Sequence, residues 1–108
     1  MNQNQKQQGD VILSKIGKLP RGLKRIDTKG VAVLAEGETT GHYHGIHDEG
    51  VTLLEDDRGN KFVENTTGKT ALLTHQEHKP IQVEHGIWEI GIVREHDYFM
   101  DMERKVID

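Results

Sequence analysis

The apolar positions of this chain fall in short runs between glycine-rich or polar connectors, and no window of about 10 to 12 residues keeps a helical period. Short runs bounded by Gly, Pro, Asn and Asp are typical of β-strands joined by tight turns. The predicted strands lie near residues 11–16, 23–26, 31–35, 42–46, 51–55, 61–64, 69–74, 81–83 and 87–94. The pattern predicts an all-β fold, arranged as a small barrel, sandwich or jelly roll.

Two stretches carry more specific expectations about the sheet. Residues 31–35 form a continuous small-apolar run, which predicts a central strand that is buried on both faces. Residues 51–74 predict a meander of three strands, because the connectors 56–60 and 65–68 have the composition of hairpin turns. Residues 1–8 are polar and predict a disordered tail, so that a single all-β domain would extend over 9–108.

The composition narrows the class of protein. Hydrophobic residues make up 33% and charged residues 30% of the 108 positions, so the core must be modest, and self-association as a homo-oligomer would extend it. The chain has no run long enough to span a bilayer and no apolar stretch of a secretory signal, so a cytoplasmic protein without membrane contact is expected. Cysteine is absent, which leaves only nitrogen and oxygen ligands for a metal.

The charge is unevenly distributed along the chain. The net charge of −4 argues against a general nucleic-acid binder, yet residues 15–29 hold six basic residues against one acidic residue. Arg21, Lys24 and Arg25 are therefore candidates for holding a small anionic ligand. The alternative is a solvated connection around Pro20, which is favoured because no aromatic residue stands between the charges.

Histidines supply the strongest chemical signal. Six of the seven fall in two stretches, which comprise His42, His44 and His47 and then His75, His78 and His85. On a strand, His42 and His44 would project from the same face with Cα atoms about 6.5 to 7 Å apart. Three protein ligands are usual for a zinc ion that keeps an open position, so a third imidazole must come from another element.

His75 and His78 end the predicted meander and are the natural completion of such a site. The four histidines His42, His44, His75 and His78 thus predict a site for a divalent metal ion, for which zinc, iron, nickel and manganese are all suitable. Glu49 and Glu77 are candidates for a further ligand or for a partner that orients an imidazole.

Other interpretations of the same histidines remain open. One alternative is solvated or hydrogen-bonded structural residues, as is expected for His47, His85 and His96, and another is a cluster that responds to pH. The hypothesis leaves both a catalytic and a structural role for the ion open. The alternative function is a binding or assembly module without chemistry, such as a phage accessory protein, that uses its strand edges or the basic residues 15–29.

Two resemblances bear on these hypotheses. Residues 37–49 resemble the first motif of the cupin superfamily, in which a glycine precedes an H-x-H pair and a glutamate follows. This resemblance implies a jelly-roll barrel with His42, His44 and Glu49 as metal ligands, and His75 would replace the ligand of the second motif, which is missing. The segments GETTGHYH, LTHQEHKPI and GIWEI are also similar to short uncharacterised proteins of bacterial and phage genomes, which implies no activity but favours the same four histidines.

Overall fold

The computed structural model describes residues 4–36 and 41–93, and every regular element within these ranges is a β-strand. The strands are β1 (Gln5–Gln8), β2 (Val11–Ile16), β3 (Lys24–Ile26), β4 (Ala32–Glu36), β5 (Tyr43–Ile46), β6 (Val51–Glu55), β7 (Lys61–Asn65), β8 (Ala71–Thr74), β9 (Ile81–Val83) and β10 (Gly86–Ile92). The prediction of an all-β fold is confirmed. No helix in this part of the chain is long and apolar enough to cross a membrane.

The strands form two antiparallel sheets. One sheet has six strands in the order β1-β2-β10-β7-β6-β3, and the other has four in the order β4-β5-β8-β9. The chain alternates between them, since β4–β5 and β8–β9 belong to the small sheet whereas the elements before, between and after belong to the large one. Because the chain crosses between the sheets several times, residues of both sheets line one shared interior.

That interior is a single hydrophobic core with contributions from both sheets. Its buried members are Val11, Leu13, Ala32, Leu34, Ile46, Val51, Leu53, Val63, Ala71, Leu73, Val83 and Trp88. Several come in pairs two residues apart, as 11 with 13 and 71 with 73, which is the spacing of side chains on one face of a strand. The core is modest in size, as the composition indicated, and Trp88 is its largest fully buried side chain.

A buried amide links the two sheets beside this core. Asn65 on β7 is fully buried, and its Nδ2 donates to the carbonyl oxygens of Lys69 and Val83, the latter on β9. Its Oδ1 accepts from the backbone N–H and the hydroxyl of Thr67. Because both donors and both lone pairs are used, the burial of this side chain leaves no unpaired polar atom.

Residues 5–8 are ordered as β1, so the prediction of a disordered tail over 1–8 is wrong for this part of it. The backbone of β1 pairs with β2 from Gln5 opposite Ser14 to Gln8 opposite Val11, and Gln8 is buried. Composition missed this strand because backbone pairing, and not apolar side chains, holds it in the sheet. Residues 1–3 and 94–108 lie outside the described ranges, as does most of the predicted turn at 37–41.

Two further expectations about the sheets need correction. The run at 31–35 forms β4, which lies at an edge of the small sheet with Val33 and Ala35 only half-buried, so it is not a central strand. The hairpin β6–β7 is confirmed, but β8 leaves that sheet and pairs with β5 and β9. The predicted three-stranded meander is therefore divided between the two sheets.

Candidate functional site

The structure brings together the four histidines that the sequence singled out. The ring centroids of His44 and His75 lie 4.4 Å apart, and those of His75 and His78 lie 4.6 Å apart. The wider separations are 5.9 Å for His44 and His78 and 5.8 Å for His42 and His75. We call these four side chains the histidine cluster, and His75 lies at its centre.

Strand pairing explains why the two distant histidine pairs meet. β5 and β8 are antiparallel, with Gly45 opposite Thr74, so the next residue on each strand, His44 and His75, comes side by side. His42 precedes β5 and shares the inward face of His44, because side chains two residues apart on an extended chain point the same way. The loop after β8 then returns His78 to the same place.

The cluster extends from the interior to the surface. His44 is only 3% exposed, His42 and His75 are half-buried, and His78 is exposed. The outermost ring of the histidine cluster is therefore in contact with solvent, whereas the innermost ring adjoins the core.

Gln8 determines how the buried ring of His44 presents its nitrogens. The amide Nε2 of Gln8 donates to the carbonyl oxygens of Leu73 and Lys79, both at 2.9 Å. Since a carbonyl only accepts, the amide has one orientation, and its Oε1 faces Nδ1 of His44 at 2.8 Å. Nδ1 must then carry a proton, which leaves the lone pair of the neutral ring on Nε2, as in metal-binding histidines.

The free nitrogen of His44 faces a carboxylate. Its Nε2 lies 3.3 Å from Oδ1 of Asp10, the second residue of the turn between β1 and β2. Burial first, and then the neighbouring ring of His75, lowers the pKa of His44 despite the opposing charge of Asp10. The charge of Asp10 and its hydrogen bond both favour the protonated ring, but burial and the neighbouring histidines outweigh them.

The loop between β8 and β9 holds His75 by a local hydrogen bond. The backbone N–H of Glu77 donates to Nδ1 of His75 at 3.0 Å, so the neutral ring carries its proton on Nε2. The carboxylate of Glu77 lies 3.9 Å from Nδ1 of His42 and is largely exposed. Glu77 therefore lies beside the histidine cluster, as the sequence suggested.

Glu49 is not brought to the histidine cluster. It lies beyond the opposite end of β5, in the turn before β6, and lines a surface pocket of about 340 Å³ together with Arg25 and Asp27. The expectation that Glu49 is a ligand does not fit this geometry, because His42 and His44 lie at the start of β5 whereas Glu49 follows its end.

The basic residues proposed to hold an anion are exposed. Lys24 and Arg25 lie on β3, where Lys24 is paired with Glu55 of β6, and Arg21 lies in the preceding bend. The pocket beside Arg25 also contains two carboxylates, Asp27 and Glu49. The charge at this edge of the large sheet is thus mixed, and an anionic ligand stays a prediction.

No ion-holding geometry is complete as the side chains stand. Among residues 4–36 and 41–93, no three His, Asp or Glu side chains have their donor atoms already placed around one point. The N–H of Glu77 also occupies the lone pair on Nδ1 of His75, so this nitrogen is not free to bind an ion. His47 and His85 are exposed outside the cluster, and His96 lies outside the described residues.

The fold and site define a two-sheet β domain with a histidine cluster that extends from its core to its surface. Residues 7–93 match the model of a family described as a domain of unknown function (DUF8820), and the chain belongs to this family. No curated protein and no solved structure matches the chain. Cupin resemblance, bacterial or phage relatives, homo-oligomer formation and a cytoplasmic location stay predictions from the sequence.

Replacing Gly9 with alanine is expected to displace the ring of His78. Gly9 has a φ of +58°, and a Cβ there would lie 2.6 Å from Nε2 of His78. The matched control is Gly22→Ala, because Gly22 has a φ of +78° but open space around its missing Cβ. Both variants should lose about 1 to 2 kcal/mol of stability from the left-handed backbone, but only Gly9→Ala should shift the imidazole NMR signals of His78. Equal His78 signals in both variants would contradict the packing described here.

Proposed function

We propose that this protein binds one divalent metal ion at His42, His44, His75 and His78. The observation that carries this proposal is the hydrogen bond from Nδ1 of His44 to Gln8, which leaves the lone pair on Nε2 of a buried ring whose centroid lies 4.4 Å from that of His75. A histidine that binds a metal through one ring nitrogen usually donates the N–H of its other ring nitrogen to an oxygen acceptor. The donors are imidazole nitrogens, and zinc, iron, nickel and manganese are all candidates for such a site.

The separations between the rings support this function. An imidazole nitrogen binds such an ion at about 2.1 Å, which places the ring centre about 3.2 Å from the metal. Two rings on one ion then have centroids about 4.5 Å apart at an octahedral angle and about 5.2 Å apart at a tetrahedral angle. The pairs at 4.4 and 4.6 Å agree with this range. The pair at 5.9 Å requires a shift of less than about 1 Å of the exposed His78, and the 5.8 Å between His42 and His75 requires a similar shift of His42.

Binding requires one local rearrangement at His75. Its proton must move from Nε2 to Nδ1, or the ring must turn over, and either change breaks the bond from the N–H of Glu77. Losing one exposed hydrogen bond costs about 1 kcal/mol, which is small beside the free energy of binding a metal to several imidazoles. In the metal-free protein, the rings are therefore expected to lie near the ion position while Nδ1 of His75 still accepts the hydrogen bond from Glu77.

An ion in the cluster would remain in contact with solvent. His78 and Asp10 are exposed at the mouth, so water or a small ligand can complete the coordination. The proposal assigns metal binding to the chain and names no reaction.

Calorimetric titration of the untagged, metal-free protein with Zn²⁺, Ni²⁺ and Mn²⁺ tests the proposal. We expect one ion per chain, and we expect His44→Ala to weaken binding by at least about 100-fold, at or beyond the upper limit for losing a group that only orients a ligand. The exposed His78→Ala, which carries little risk of unfolding, should weaken binding by at least about 10-fold. His85→Ala is the control and should bind like the parent protein.

Two results would contradict metal binding at this site. The first is a stoichiometry near zero for all three ions with the parent protein. The second is binding that neither His44→Ala nor His78→Ala changes, when circular dichroism shows both variants to be folded.

A further inference from the structure

The turn of the first hairpin lies against the histidine cluster although the two belong to different sheets. Strands β1 and β2 are part of the large sheet, whereas the cluster is carried by β5, β8 and the loop after β8. Three consecutive residues of the hairpin reach the cluster: Gln8 bonds to His44, Gly9 leaves room for the ring of His78, and Asp10 faces Nε2 of His44. The first hairpin therefore forms one wall of the site.

The position of Asp10 matches that of a second donor on the same ion. Two atoms that bind one ion at about 2.1 Å lie about 3.0 Å apart at an octahedral angle and about 3.4 Å apart at a tetrahedral angle. Oδ1 of Asp10 and Nε2 of His44 are 3.3 Å apart, which is within this range. A divalent cation between these two atoms would be attracted by the charge of the carboxylate and could bind both.

We propose that Asp10 supplies a carboxylate ligand to the ion held by the histidine cluster, so that the ion clamps the β1–β2 hairpin to the small sheet. This inference rests on the proposed function. It adds an oxygen donor to the imidazoles, and a mixed nitrogen and oxygen set favours zinc, iron(II), manganese or nickel over the soft copper(I) ion.

Within the described residues, β1 adds no side chain to the hydrophobic core, in contrast to β2, which buries Val11 and Leu13 there. β1 is an edge strand of four residues, paired on one side only. Gln8 bonds to Leu73 and Lys79, and Lys6 bonds to the carbonyl of Gln82 and to the carboxylate of Glu84. The Lys6 contacts are only partly shielded from water, and salt bridges of this kind contribute little. An ion bound by both sheets would therefore strengthen this junction substantially.

Amide hydrogen exchange with and without saturating Zn²⁺, combined with calorimetric titration, tests the clamp. In the parent protein we expect zinc to slow exchange of the amides of residues 5–16 by at least about 10-fold, because opening the hairpin must then release a ligand. Asp10→Asn should bind zinc at least about 10-fold more weakly and should lose the slowing even at saturating zinc. Asp57→Asn, which changes an exposed carboxylate in the β6–β7 turn, is the control and should behave like the parent protein.

The two proposals fail in different ways. If the parent protein binds no metal, the proposed function itself is wrong. If it binds metal through the histidines while Asp10→Asn keeps full affinity, or while exchange in residues 5–16 is unchanged by zinc, the clamp is overturned and metal binding stands.

Discussion

Replacing Trp88 with alanine is expected to lower the free energy of unfolding by about 3 to 5 kcal/mol. Trp88 is fully buried on β10 between β2 and β7, and its indole N–H donates to the carbonyl of Glu84. The substitution leaves a cavity in the core and removes this bond. Domains of this size are stable by about 5 to 15 kcal/mol, so the variant should unfold at a much lower urea concentration. Circular dichroism is the appropriate measurement, because Trp88 is the only tryptophan and its fluorescence is lost with it.

Leu72→Ala is the control for this prediction. Leu72 is half exposed on the outer face of the small sheet, so its truncation should cost less than about 1 kcal/mol. The loss of stability in Trp88→Phe should fall between the losses in Trp88→Ala and Leu72→Ala, since phenylalanine retains much of the apolar volume but lacks the N–H. Equal urea midpoints for Trp88→Ala and Leu72→Ala would show that β10 does not pack as described.

Much of the fold follows from side-chain alternation, and the exceptions have a common cause. Pairs such as Val51 and Leu53 mark strands with one buried face, and the structure buries both members. The polar strand β1 has no such pattern, because Gln8 is buried by bonds to carbonyls 65 and 71 residues away in the chain. The apolar composition of residues 31–35 predicts a strand but does not predict the position of that strand in the sheet. The edge position of β4 could therefore not be found from the sequence.

The sequence predicts those parts of the site that depend on the local geometry of a strand. The same-face placement of His42 and His44 follows from strand spacing alone, and the pairing of β5 with β8 adds His75. Glu49 was chosen for its nearness in sequence, but the direction of β5 carries it away from the histidines. Asp10 could not be found in this way, because it meets His44 only through the packing of one sheet on the other.

Replacing Gln8 with alanine is expected to destabilise the fold and to weaken metal binding together. The variant removes both amide donors and the acceptor for Nδ1 of His44, and it leaves the carbonyls of Leu73 and Lys79 without these bonds. A buried polar group without a partner costs about 1 to 3 kcal/mol, and because Lys79 is exposed to water, the total loss should be about 3 kcal/mol. Urea unfolding of the metal-free variant measures this loss, and zinc affinity should fall about 10- to 100-fold, since the ring of His44 is no longer held in one tautomer.

Gln7→Ala provides a matched control for Gln8→Ala on the same strand. Neighbouring side chains of a strand point to opposite faces, and Gln7 makes one exposed hydrogen bond, to the carbonyl of Gly9. Its removal should change stability by no more than about 0.5 kcal/mol and should leave zinc affinity unchanged. If the two variants lose equal stability, the effect comes from strand propensity and not from the buried bonds. If Gln8→Ala loses stability but keeps full zinc affinity, Gln8 joins the sheets without orienting His44.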